Sequence, residues 1–153
     1  MTPDNTIVHG DCVTGMRNLA PASVDFVLTD PPYLVDYQSR DGRKVANDRN
    51  GEWLRPTFSQ IYRVMKPASF CVSFYGWNRV HLFMAAWRQA GLRAVGHIVF
   101  RKRYAYPRGS FVPSMRLRTC LPGVTYSRPP AQPIPDVIEF RYTGNKLHRH
   151  RSR

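Results

Sequence analysis

The stretch Val24-Asp25-Phe26-Val27-Leu28-Thr29-Asp30-Pro31-Pro32-Tyr33 decides how this chain is read. Its first six residues are mostly apolar on both alternating sets, the pattern of a strand covered on both faces. Two successive prolines have no N–H to give a ladder, so the strand ends at Thr29 and a stiff turn carries Asp30 and Tyr33 at its carboxyl end. Upstream, residues 6–9 form a short β-branched run stopped by Gly10-Asp11, predicting a strand and turn, with a short helix over 13–19. Downstream, residues 34–51 are polar and turn-rich, with Asp41-Gly42 and Asn50-Gly51. At that length such a segment is a lid or a binding loop.

Leu54, Phe58, Ile61, Tyr62 and Met65 recur at helical spacing, with Pro56 in the first turn and Lys66-Pro67 as the stop. A strand over 69–74 follows. Asn78 then caps a helix whose stripe is Val80, Phe83, Met84, Trp87 and Ala90, ending at Gly91. Another strand runs over 94–100. Strands alternating with helices at these lengths make an α/β domain with a largely parallel sheet. Beyond Phe100 the pattern fails: seven of thirteen prolines fall between 107 and 135, and only 136–142 recovers strand character. Neither G-x-G-x-x-G nor a Walker A loop is present.

A chain of 153 residues with 42% apolar and 22% charged residues is one folded domain rather than a disordered segment. Its charge of +13 is uneven. Residues 101–153 carry twelve Lys and Arg against Asp136 and Glu139, which points to a polyanion, nucleic acid first, although a solvated basic tail would look the same. Cys12, Cys71 and Cys120 are odd in number and far apart, so neither a disulfide framework nor a metal site is indicated. The start has no basic and apolar leader, and no apolar run is of membrane-spanning length. The expectation is a soluble, cytoplasmic protein.

Asp-Pro-Pro-Tyr is the sharpest signal, expected by chance in about one chain of this length per thousand. A proline-stiffened turn with a packed tyrosine would be its structural meaning alone. Ligand sites in open α/β sheets, however, form at the carboxyl ends of strands, where this turn lies. The residue types suit alkylation of an exocyclic amino group, whose lone pair is delocalised into its ring. Acceptors for its N–H groups localise that pair: the Asp30 carboxylate is one and the Pro31 carbonyl a second. Tyr33 offers a stacking face to a base removed from its helix, worth about 1–3 kcal/mol.

With these residues the sequence resembles the amino-group DNA methyltransferases that use S-adenosylmethionine, in the group whose catalytic motif precedes the cofactor motif. The matching segments are Ile7-Val8-His9-Gly10-Asp11-Cys12, Ser23 through Tyr33, Tyr62-Arg63-Val64-Met65-Lys66-Pro67, Ser73-Phe74-Tyr75-Gly76-Trp77-Asn78 and Phe140 through His148. Residues 6–112 and 129–148 are covered, most similar to small adenine-N6 methylases of phages and plasmids. The resemblance implies a partial Rossmann-like methyltransferase fold lacking its C-terminal cofactor-binding strands. Residues 1–148 would be its catalytic half, with 101–135 a target-recognition region. It implies that Asp30, Pro31, Pro32 and Tyr33 hold and stack a flipped adenine of DNA. Asp11 would lie near S-adenosylmethionine, though a strand-end turn explains it equally. Arg101, Lys102, Arg103 and Arg108 would face phosphates. Cytosine-N4 or RNA methylation uses the same loop chemistry, and a non-catalytic remnant with weak nucleic-acid binding is the other alternative.

Two segments depart from that family. After His148 the family continues His-Pro-Thr-Gln-Lys-Pro and later an Asp-Pro-Phe-x-Gly-x-Gly turn, whereas this chain reads Arg149-His150-Arg151-Ser152-Arg153. Removing one C from CAC CCG ACA CAG AAG CCG turns the family's segment into the present one, His148 to Arg153. A one-nucleotide shift likewise relates Met115-Arg116-Leu117-Arg118-Thr119-Cys120-Leu121-Pro122-Gly123-Val124 to the family's His-Glu-x-Ala-Tyr-Leu-Leu-Ala-basic-Gly. The expectation is a gene, or a record of it, with compensating shifts around 113–128 and a terminal one after His148. The chain as written is then a truncated enzyme with an aberrant tail over 149–153 and negligible affinity for S-adenosylmethionine. Arg116, Arg118, Arg149, Arg151 and Arg153 lie in the shifted stretches, which weakens the argument from charge.

Overall fold

The computed structural model describes residues 5–39, 41–102, 116–122 and 137–140. Helix α1 (Cys12–Arg17) leads to strand β1 (Val24–Thr29), and after the long loop come α2 (Leu54–Val64), β2 (Met65–Tyr75), α3 (Val80–Ala90), β3 (Leu92–Lys102), β4 (Arg116–Pro122) and β5 (Val137–Phe140). The five strands form one sheet in the order β1-β2-β4-β3-β5. Pairing is parallel for β1 with β2 and for β3 with β5, and antiparallel for β4 with both β2 and β3. Four strands therefore point one way, as the α/β pattern requires, and β4 alone opposes them.

The antiparallel β4 is a strand that the sequence reading did not anticipate. Its residues belong to the stretch where apolar periodicity vanishes, and its place is set by ladder bonds to two flanking strands, which carry no periodic signature of their own. A second correction concerns residues 6–9, which form no strand: Ile7 and Val8 are 97% and 76% exposed, and a β-branched run without a partner does not make a ladder.

The core lies between one sheet face and the helices. Phe58, Ile61 and Leu54 of α2 meet Phe83, Ala86 and Trp87 of α3, and both helices cover Cys71 and Tyr75 of β2. Trp87 sits edge-on to Phe58 and Tyr75, with ring centroids 5.9 Å apart in each case. Offset and edge-on aromatic pairs of this kind add to simple burial. Val27 of β1 joins this cluster, opposite Cys71 in the ladder. Phe26 and Leu28 point to the other face of the sheet, opposite Phe70 and Val72, and are 54% and 62% exposed.

Local chemistry fixes the element ends. Gly91 closes α3 with φ of 94°, a left-handed conformation natural to glycine, and a Cβ there would lie 3.1 Å from the Tyr62 ring. Between Val24 and Phe26 the β1–β2 register shifts, so that Lys66, Pro67 and Ala68 loop out of the ladder and the missing N–H of Pro67 costs no ladder bond. Arg63 of α2 donates to the carbonyls of Met16 (2.7 Å) and Leu19 (3.0 Å), tying the carboxyl end of α1 to the helical layer. Among the described residues no helix is long and apolar enough to cross a membrane.

Candidate active site

Because β1, β2 and β3 share a direction, the turn after β1 opens at the carboxyl edge of the sheet, where α/β folds place their ligands. Asp30 leaves β1 there, Pro31 and Pro32 fix the turn, and Tyr33 folds back over it. The Tyr33 hydroxyl donates to Asp30 Oδ1 at 2.6 Å. Burial of the ring first, and then the Asp30 carboxylate as hydrogen-bond acceptor and negative charge, hold the phenol well above its ordinary range of ionisation. Tyr33 is thus a proton-bearing donor near neutral pH, and Asp30, which the sequence reading left open for a substrate amino group, already has one oxygen engaged.

The turn is braced from β2. Gly76 follows Tyr75, and a Cβ at Gly76 would fall 2.6 Å from the Tyr33 carbonyl oxygen and 3.1 Å from Tyr33 Cβ. No side chain fits between these two backbones. Behind Tyr33 the chain enters a left-handed conformation at Leu34 (φ 61°) and again at Asp36 (φ 52°), which side-chain-bearing residues seldom adopt. The buried Asp48 carboxylate holds this segment: Oδ1 accepts from the Leu34 N–H at 2.6 Å and the Val35 N–H at 3.3 Å, and Oδ2 from the Tyr37 N–H at 2.8 Å. Its backbone carbonyl accepts from the Asp36 N–H at 3.1 Å. Arg79 Nε donates to the Leu34 carbonyl at 3.3 Å. The long polar loop is therefore folded back onto the turn rather than left open.

Two cavities flank Asp30-Pro31-Pro32. One, of about 440 Å³, is bounded by these residues with Tyr33, Val35, Tyr37 and Val45. The other, of about 520 Å³, is bounded by the same three residues with Asp11, Cys12, Thr29, Trp53 and Thr57. Both volumes are of ligand size. Asp11 is the N-cap of α1, its Oδ1 accepting from the Thr14 N–H at 2.8 Å; this bond is the main reason its carboxyl is held below the usual carboxylate range. The structure accordingly brings Asp11, Asp30, Pro31, Pro32 and Tyr33 to one place, although they come from two separate segments.

Arg101 and Lys102 are the last residues of β3, paired with Glu139 and Phe140 of β5; β3 runs in the direction of β1, with β2 and β4 between them, and extends beyond the level of Asp30. Arg103 and Arg108 lie outside the described residues. Sequence reasoning missed Asp48, Gly76 and Tyr37. Nothing local marks Asp48, since its partners are backbone groups more than ten residues earlier; Gly76 stood within a quoted motif, but its contact with Tyr33 depends on strand pairing.

Comparisons with known proteins show the family. A family model described as DNA methylase matches residues 24–120, from the first residue of β1 into β4. The chain belongs to the DNA methylase family. YubD of Escherichia coli K12, a methylase by name, is 46% identical over 143 residues, covering 92% of this chain and 62% of YubD. The DNA adenine methyltransferase YhdJ of the same organism is 33% identical over 63 residues, covering 40% of this chain and 21% of YhdJ. Among solved structures, the M1.HpyAVI–SAM complex superposes with a TM-score of 0.63 at 15% identity, covering 91% of this chain and 64% of that one. TTHA0409 of Thermus thermophilus, a DNA modification methylase by name and solved with S-adenosyl-L-methionine, gives 0.57 at 17% identity over 80% and 55%. At these identities the likeness is one of fold. This DNA methylase chain spans under two thirds of the length of YubD and of both structures.

Proposed function

We propose that this chain supplies the catalytic turn of an S-adenosylmethionine-dependent methyltransferase acting on the N6 amino group of adenine in DNA. The observation that supports the reading is that Asp30, Pro31 and Pro32 line two ligand-sized cavities at once. A methyl donor in one cavity and an amino acceptor in the other would meet beside this shared turn with their reacting atoms in direct, in-line contact.

On the Tyr33 side, the ring stacks on a base turned out of its helix, and Asp30 accepts a hydrogen bond from the amino group, localising the nitrogen lone pair toward the other cavity. The Tyr33 hydroxyl yields Asp30 Oδ1 as the base enters. In the other cavity, Asp11, Trp53 and Thr57 would offer the cofactor a carboxylate for its hydroxyl or ammonium groups, an indole for its adenine ring and a hydroxyl. When bound, S-adenosylmethionine supplies an electrophilic methyl group. Arg101, Lys102, Arg103 and Arg108 are proposed to face the DNA phosphates. YhdJ, an adenine methyltransferase by name, supports adenine over cytosine.

The test uses a chimera in which these residues replace the matching part of YubD, assayed beside YubD itself with labelled S-adenosylmethionine and duplex DNA. Nucleoside analysis should show N6-methyladenine from both. N4-methylcytosine would reassign the base, and an inactive chimera beside active YubD would overturn the reading.

A further inference from the structure

We propose that Asp48 is a positioning residue for the base cavity, and that the segment it holds presents Tyr37 and Val35 as a second wall facing a flipped base across from Tyr33. The inference rests on the reading of that cavity as the acceptor site. Asp48 is 2% exposed, on a loop whose neighbours are exposed, and its carboxylate and carbonyl together take the backbone N–H groups of Leu34, Val35, Asp36 and Tyr37. Burying a carboxylate is unfavourable unless its oxygens are satisfied, and here backbone donors satisfy both. Two left-handed residues in that segment would relax without this clamp.

The clamp has a visible outcome. Tyr37 and Val35, 54% and 46% exposed, line the cavity together with Tyr33 although the backbone between them is tethered to a buried group. A tethered loop that holds an aromatic and an aliphatic side chain half in water, lining one cavity with another aromatic, suits a flat apolar ligand. An unpaired base is such a ligand, and the sandwich would retain it after it leaves the duplex stack.

The experiment uses the full chain and a thymine oligonucleotide carrying one 2-aminopurine, whose fluorescence falls on stacking. The parent should quench it. Tyr37→Ala should weaken the apparent affinity about tenfold while Tyr37→Phe stays near the parent, since the ring and not the hydroxyl makes the wall. Asp48→Asn keeps an acceptor for Leu34 but turns an amide N–H₂ toward Tyr37, so amide exchange should accelerate at Tyr37 while Leu34 remains protected, with quenching reduced in parallel. Unchanged quenching in Tyr37→Ala and Asp48→Asn, alongside loss in Tyr33→Ala, would overturn the wall and leave the acceptor site standing. Absence of quenching by the parent would overturn both. Should Asp48→Asn fail to fold, the exposed Tyr37 variants decide the matter.

Discussion

Tyr33 and Gly76 show how closely the turn after β1 is made. With Cβ 2.6 Å from the Tyr33 carbonyl, Gly76→Ala must displace either the end of β2 or the turn, at about 1–3 kcal/mol of stability and with loss of the proposed stacking at Tyr33. Chemical denaturation together with the 2-aminopurine signal measures both effects. Tyr33 gives a pH signature as well. Its ionisation is raised in the folded chain, so the neutral phenol contributes stability that is fully present below the ordinary value of 10.0 and lost as pH rises through the higher folded value. Tyr33→Phe should therefore differ from the parent by a constant amount between pH 6 and 9, and the gap should narrow above 10; a gap that widened there would contradict the Tyr33–Asp30 bond. The identity of Asp30 and Tyr33 as candidates was legible in the sequence because proline spacing is a local signal. Their mutual hydrogen bond was not, because either side chain could equally have faced solvent.

At the scale of elements, periodic apolar residues located α2, α3, β1 and the bodies of β2 and β3, each within a few residues of its observed ends. Periodicity failed where pairing alone decides structure. Leu117 and Thr119 of β4 are placed by registers with Phe74 and Val72 on one side and Ile98 and Gly96 on the other, contacts that link segments far apart in the chain. Asn78, expected to cap a helix, lies instead in a short 3-10 turn over Trp77–Arg79 before α3 begins. The α2–α3 layer depends on its aromatics: Trp87→Ala should cost about 3–5 kcal/mol, read as a lower denaturation midpoint with loss of near-ultraviolet dichroism. Gly91→Ala combines a left-handed φ with contact on the Tyr62 ring and should cost about 1–2 kcal/mol by the same measurement. A loss under a few tenths in either variant would mean that the layer is packed differently.

For the whole molecule, the carboxyl ends of the parallel strands carry the proposed site residues: Asp30 and Tyr33 follow β1, Gly76 follows β2, and Arg101 and Lys102 end β3. With a net charge of +13, any DNA affinity of this chain should be mainly electrostatic, falling steeply between low and physiological salt with little preference among sequences. The proposed base stacking at Tyr33, the phosphate attraction and the proposed chemical step are then separable by experiment. The most direct measurement is single-turnover methyl transfer by the YubD chimera carrying Asp30→Ala, run beside 2-aminopurine quenching on the same protein. Methyl transfer to adenine should fall by about a thousandfold or more while quenching and DNA affinity stay within about twofold of the parent, since Asp30 acts on the amino group and not on the stack or the phosphates. Transfer at the parental rate in Asp30→Ala would contradict the account.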